Sequence, residues 1–471
     1  MGRRAVKESA GVKGQGPQGD TAGVAAILKR VVANAGVLLG GRSVNAVLGL
    51  AYLAVAARSL GAAQMGVLVL ITAFAQFLGD VVKFQSWQTV IQYGARPLAD
   101  GDRPAFQRML RFTLLLDAAS TLLGVAIGVA GAFVFAGRLG WNAEMAPVAA
   151  LYMLSVVFLV SATPIGLHRL FDRFDILAQQ TALVGFVRLL GGGVAFALGG
   201  GVPAFLLAWA VGSLAGWLYL VGMSLAELRR RDLLAGFSWK GPLTQGMPGA
   251  WRFAWNTNLS ATLDVAFTHV ATLVVGALVG PAQAAFWRVG RQVADAIAKP
   301  AKLLTPALYP ELARLRAGER HDAMWRLAGQ VGLLAGGVGL ILLAVAAFAG
   351  RPLLGLVMGQ GFAPAAGVMT WQVGAAVIGI LALPLEPMLV SLGKPGRVVW
   401  ARLAVSAAFL VALPFLVRAF GLTGAGAGLV AAAAALALAL LWFILRENGI
   451  RRGSAPAADS AKPEDCLKDQ A

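Results

Sequence analysis

The chain has 471 residues, 58% apolar and 13% charged, with a formal net charge of +18. A soluble protein of this length could not leave so much apolar surface uncovered, so lipid must be the solvent for much of it. The charge does not point to nucleic acid, because Lys and Arg sit in short clusters between apolar stretches of about 20 residues, the pattern of membrane topology.

Residues 1–30 are rich in Gly, Lys and Arg and lack an apolar core. They read as a flexible cytoplasmic tail, and Arg3-Arg4 is not followed by the features of a twin-arginine signal. Six apolar runs follow near 35–57, 65–82, 112–136, 146–166, 176–199 and 202–224. A polar, basic stretch at 225–252 interrupts them. Six more appear near 253–279, 284–308, 325–349, 366–392, 398–417 and 423–445, before a polar tail that holds the one cysteine, Cys466. Runs of this length without strand alternation span lipid only as helices. The fold expected is therefore all-α, a polytopic membrane protein of about 12 transmembrane helices in two pseudo-symmetric six-helix lobes. The lobes fall at 31–226 and 253–448, joined by a cytoplasmic linker at 227–252, with disordered tails at 1–30 and 449–471. Neither a disulfide framework nor a metal centre is expected from Cys466, His168, His269 and His321, and no cofactor is implied.

The basic residues fix an orientation. With the N-terminus in the cytoplasm, every even-numbered connection carries Lys and Arg. Among the 40 Lys and Arg residues only Arg58, Arg138, Arg351 and Arg418 fall on the opposite side. Both termini are therefore expected in the cytoplasm. A faint repeat supports the two lobes: Leu60-Gly-Ala-Ala-Gln-Met-Gly66 aligns with Val279-Gly-Pro-Ala-Gln-Ala-Ala285, matching Gly61 to Gly280, Ala63 to Ala282 and Gln64 to Gln283. Gly201 falls similarly on Gly421. Six helices per repeat give both halves the same orientation, with a substrate path between them.

The eighth run is the most informative. Arg288, Arg291, Asp295, Lys299 and Lys302 are spaced three and four residues apart and share one helical face. Against lipid each would cost roughly 2.5–3.5 kcal/mol near the bilayer centre, so the stripe must face protein or water. One alternative lays this helix on the membrane surface, which would reverse the side of everything downstream. Another makes the stripe a structural salt-bridge network centred on Asp295. The preferred reading is a wall with four cations and one acid that binds an anion such as pyrophosphate. Arg42 in the first run joins this candidate site, and Asp264 with Asn45, which coincide at the repeat offset, form a candidate coupling-ion site. Asp80, Asp117, Arg188 and His269 are further ionisable groups inside runs. Arg188 reads as snorkelling to the interface and His269 as a packing histidine. Gly424, Gly426 and Gly428 lack a preceding strand and read as helix-packing glycines rather than a nucleotide loop.

Several segments resemble the bacterial polysaccharide flippases of the multidrug/oligosaccharidyl-lipid/polysaccharide exporter superfamily. Ala57-Arg-Ser-Leu-Gly-Ala-Ala-Gln-Met-Gly66 is similar to the segment after their first helix, and Leu170-Phe-Asp-Arg-Phe-Asp175 to the entry of their fifth. Gly280 to Ala294, Ala298-Lys-Pro300 and Tyr309-Pro-Glu311 resemble their seventh-to-eighth helix region. The resemblance runs over about residues 30–448. It implies two lobes around a cavity, alternating access, and an undecaprenyl-pyrophosphate-linked oligosaccharide as cargo for lipopolysaccharide, O-antigen or exopolysaccharide synthesis. Membrane lipid, and a glycan polymerase or glycosyltransferases, are the partners it suggests. The expected protein is thus an inner-membrane flippase rather than an enzyme. The alternatives are a multidrug or cation antiporter of the same superfamily, a membrane-embedded polysaccharide polymerase or ligase, and a non-transporting scaffold.

Overall fold

The computed structural model describes residues 18–302, 305–318 and 320–453, with side chains described except at 18–43, 259–268, 302, 305–307, 310, 317, 321 and 448–453. Among the described residues every regular element is helical. In the first half these are α1 (Gln18–Val82), α2 (Ser86–Asp100), α3 (Arg103–Val134), α4 (Ala146–Met153), α5 (Val156–Leu159), α6 (Ala162–Leu170), α7 (Phe174–Ala197) and α8 (Val202–Arg230). The second half contains α9 (Ala250–Val279), α10 (Pro281–Lys302), α11 (Thr305–Ala317), α12 (His321–Met358), α13 (Ala365–Leu381), α14 (Leu385–Ser391) and α15 (Pro395–Gly453).

Eight helical stretches among the described residues are long and apolar enough to cross a membrane. Two of them, Val44–Asp100 and Pro395–Glu447, contain backbone breaks at Gly61 and Gly421 and so hold two expected spans each. Side chains on their outer faces meet lipid: Phe348 is 88% exposed and Leu334 75%, which water would not tolerate. The seventh expected span is α9. The eighth, expected at 284–308, is α10 as far as Lys302; residues 303–304 lie outside the described ones, α11 begins at Thr305, and α10 with its charges is not among the eight apolar stretches.

The structure differs from the expected spans in three places. The connection at 83–111 holds an amphipathic helix, α2, which buries Ser86, Thr89, Val90 and Gly94, and α3 begins nine residues earlier than the apolar run, capped by the Asp102 carboxylate on Ala105 N–H at 2.9 Å. The fourth span is broken at Val160, whose backbone is extended (φ −91°, ψ 94°). Pro164 explains this, since it has no N–H to give the Val160 carbonyl. The Asp117 carboxylate takes the freed Thr163 N–H at 2.8 Å and the Ser86 hydroxyl at 2.6 Å. The tenth span is likewise divided before Leu385, where Pro384 and Pro387 follow the end of α13. Helix α1 also starts at Gln18, inside the tail expected at 1–30; the rest of that tail and residues 454–471 lie outside the described residues.

Of the repeat glycines, Gly201 (φ −82°, ψ −167°) and Gly421 (φ 59°, ψ −143°) differ, whereas Gly61 and Gly280 share one conformation. Gly61 has φ 67°, ψ 177°, and Gly280 has φ 90°, ψ 169°, a left-handed geometry that only glycine holds without strain. Each redirects the chain from one rod into the next. At this end the halves share one core: Met65, Leu68 and Leu70 of α1 pack with Ala284, Phe286 and Trp287 of α10. The approach is closest at Gly66, where an added Cβ would lie 1.9 Å from the Pro281 carbonyl oxygen. Arg58 crosses between halves to donate to the carbonyls of Val357, at 3.0 Å, and Leu356. At the opposite, basic end the cores are separate. Phe106, Met109 and Leu233 cluster with Met247 and Ala250 in one, and Leu312, Met324, Met388 and Leu440 form the other. The halves are therefore joined at the Gly61 end and hold their own cores at the basic end.

The polar stretch between the halves is tied to α3. Arg111 donates to the Ser238 carbonyl at 3.0 Å and Pro242 at 2.7 Å, and also to Lys240. Arg108 reaches Gln245, and Gln107 bonds the carbonyls of Leu233 and Ala235. The Arg-Phe-Asp segment opens α7 as an ion cluster. Arg173 pairs with Asp175 at 2.9 Å and with the buried Glu227, which also binds Arg230 and Arg231.

Candidate functional site

The charged stripe of α10 straddles the seam between the halves. Its Arg291–Asp295 flank lines a cavity of about 610 Å³ that lies wholly in the second half, between α10, α13 and α15. These two residues pair with each other at 3.3 Å, one helical turn apart. A second pair, Arg402 with Glu386, lines the same cavity. The watery wall expected between the lobes is thus, on this flank, a pocket inside one of them.

Arg288 lies on the same face, one turn nearer Pro281. It does not line that cavity and makes no ion pair with a carboxylate among the described residues; Asp295 attracts it and Arg291 repels it only at longer range. Its like charge also acts on Arg188 of α7, in the first half. Arg188 does not snorkel. Its guanidinium lies 4.2 Å over the Trp209 ring, donates to the Ser213 hydroxyl at 2.9 Å, and leaves Nε buried without a hydrogen-bond partner. Tyr52 packs edge-on against Trp209 at 5.4 Å, and its hydroxyl donates to the Phe205 carbonyl at 3.1 Å. Gly212 makes room for the arginine stem, since a Cβ there would meet Arg188 Cγ at 2.5 Å. Trp209 and Tyr52 thus fix a cation that sequence spacing alone could not place.

The remaining site residues scatter. Lys299 is exposed, and the side chains of Lys302, Arg42 and Asp264 lie outside the described ones. Asn45 is half-buried against α7, where its Oδ1 occupies the space that a Cβ on Gly185 would take. His269 does not simply pack: its Nε2 lies 3.3 Å from the Asp80 carboxylate, linking α9 to α1. Arg188 and Arg288 are thus two half-buried cations from different halves, within electrostatic reach of each other and without a carboxylate ion pair among the described residues. Burying them so is costly unless an anion or water offsets the charge.

Comparison with known proteins agrees with this architecture. The model of a family described as polysaccharide biosynthesis protein matches residues 31–316. The inner membrane protein YghQ of Escherichia coli K12 is 33% identical over 332 residues, which is 70% of this chain and 93% of that protein. Two solved structures share the fold. The lipid II flippase MurJ in an inward closed conformation superposes with a TM-score of 0.69 at 10% identity, covering 85% of this chain and 86% of that one. An inward-facing multidrug resistance MATE family transporter of the MOP superfamily gives 0.67 at 15% identity, covering 88% and 96%.

Proposed function

Because the chain belongs to the polysaccharide biosynthesis protein family, we propose that it is a flippase for an anionic polyprenyl-pyrophosphate-linked oligosaccharide, with undecaprenol as the carrier. The cargo moves from the cytoplasmic to the periplasmic leaflet of the inner membrane, for lipopolysaccharide or exopolysaccharide assembly, and no catalytic step is involved. The observation that carries this reading is Arg188, a cation inside the first half held by Trp209 and Ser213 with an unbonded Nε and no carboxylate ion pair among the described residues; Arg288 of the other half is within electrostatic reach, and a pyrophosphate would neutralise both. Arg42 and Lys302 are further cations for the same anion. The lobes are 31–226 and 253–448, both termini are cytoplasmic, and the basic end, where the cores stand apart, is the entrance from the cytoplasm.

The mechanism follows from these parts. The polyprenyl chain stays in lipid while the head group enters from the basic end and draws the two arginines' mutual repulsion into attraction for one anion. Rocking about the shared core then moves the opening to the other side. Asp264 and Asn45 remain the proposed place for a coupling ion, and the enzymes that build or polymerise the glycan are the proposed partners.

The test is an Arg188→Ala, Arg288→Ala double variant expressed in source cells lacking the chromosomal copy. Surface glycan should disappear and lipid-linked precursor accumulate, with protein amount and monodispersity in detergent unchanged. Normal export would overturn the reading, and so would a deletion strain whose only phenotype is drug sensitivity.

A further inference from the structure

We propose that the cavity inside the second half is a sugar-binding pocket, which holds the uncharged sugar units of the substrate while the carrier's phosphates sit at Arg188 and Arg288. This deepens the flippase reading and rests on it.

Charge balance comes first. The ionisable side chains lining the cavity form two internal pairs, Arg291–Asp295 and Arg402–Glu386, so it offers neither an unmatched acid to hold a cation nor an unmatched base to hold an anion. Its ligand is therefore neutral. Apolar ligands are equally unsuited. The pairs keep 33–45% of their side-chain surface open, and a hydrocarbon chain seated there would strip water from four charged groups without replacing its hydrogen bonds. What remains is a neutral molecule rich in hydroxyls. A paired carboxylate still has lone pairs to spare, and a paired guanidinium still has N–H groups, so each ion pair can serve both as donor and as acceptor. Ser406 adds a hydroxyl to the same wall.

Shape agrees. A volume of about 610 Å³ sits within the ~300–1,000 Å³ of small-molecule sites and suits a short oligosaccharide. The wall between the polar groups is built of small residues, among them Ala376 of α13 and Ala433 of α15, which leave the space open, while Phe409 supplies an aromatic face for the apolar C–H side of a sugar ring. Arg288 is the next residue to Trp287, does not line this pocket, and is within electrostatic reach of Arg188. One helix, α10, thereby carries both a part of the sugar wall and the phosphate cation. This matches a substrate in which sugar and pyrophosphate are directly joined.

The test uses the full-length protein in nanodiscs, incubated with polyprenyl lipids extracted from the source cells together with added undecaprenyl pyrophosphate. Native mass spectrometry resolves the bound species by mass. Wild type should retain the glycan-bearing lipid over the bare carrier. Ala433→Phe and Ala376→Leu, which fill the cavity from opposite walls, should each lower that preference about tenfold. Both variants are first checked for monodispersity, and either one that folds suffices. A preference that survives in the folded variants overturns the sugar pocket and leaves the flippase reading standing. Wild-type protein that binds neither lipid, or a double Arg188→Ala, Arg288→Ala variant that still binds both, overturns the flippase reading itself.

Discussion

The contact between Gly66 and Pro281 gives a graded handle on the balance between conformations. In Gly66→Ala the new Cβ would start 1.9 Å from the Pro281 carbonyl oxygen and 2.1 Å from its carbon. Ordinary contact begins near 3.4 Å, so the two rods must separate by about 1.5 Å, and both colliding partners are backbone that no rotamer change can move. Overpacking of this kind costs about 1–3 kcal/mol, and it is paid only while the halves are joined at this end. The population with that end parted should therefore rise by about 5–150-fold. Ala284, fully buried in the shared core, reports on the joint: in a Cys466→Ser background, Ala284→Cys should react with a membrane-impermeant maleimide faster by the same factor. Gly276→Ala is the graded comparison. Its Cβ would meet Leu70 Cδ2 at 2.2 Å, but a leucine side chain can turn away, so the acceleration should be clearly smaller. Equal labelling rates in wild type and Gly66→Ala, with the variant intact, would refute the argument that this crossing holds the halves together.

Other expectations follow from the same contacts. Arg111→Ala removes a fork that binds the carbonyls of Ser238, Lys240 and Pro242, so limited proteolysis should cut within 236–246 and stability should fall by about 2 kcal/mol; Arg111→Lys should rescue little, because an ammonium cannot reproduce a planar fork. Glu227→Gln leaves Arg173, Arg230 and Arg231 around a buried site without their shared carboxylate. Thermal denaturation in detergent should show a loss of about 2 kcal/mol, discounted from the cost of a fully buried pair because the arginines are partly exposed. For the link between α1 and α9, Asp80→Asn and His269→Gln should each raise the Ala284→Cys labelling rate, and the double variant should add less than the sum. Strict additivity would show that the two side chains do not act on one another.

How much was legible in the sequence depended on whether a feature was local. Most spans were legible because lipid imposes an apolar run of fixed length; Gly61 and Gly280 were matched as a repeat, but nothing in that match said that they redirect the chain. Helix α2 was missed since the basic residues around it, with Arg96 inside it, read as a connection, although Val90 and Gly94 on one face carried the helical period. The stripe on α10 was correctly seen as one face, but spacing cannot say which neighbour that face meets. Arg291 and Asp295 line the cavity in the second half, whereas Arg288, on the same face, does not. Arg188 was misread for a similar reason: whether a long cation reaches water or an aromatic ring depends on Trp209, twenty-one residues away on the next helix. The Glu386–Arg402 pair left no signature at all, since its partners lie on separate helices with a turn between them.

The stapling of the polar stretch has a consequence for where the molecule bends. With Gln107, Arg108 and Arg111 gripping its carbonyls, the segment from 233 to 245 travels as cargo of the first half and contributes no slack. The start of α9 is embedded in the same half through Ala250 and Ala254, while its far end, at Ala271 and Val275, is set in the shared core. The compliance needed for one half to swing against the other is thereby concentrated along a single rod, as in a leaf spring clamped at both ends, and lengthening the tether that precedes it would leave the amplitude of the swing unchanged.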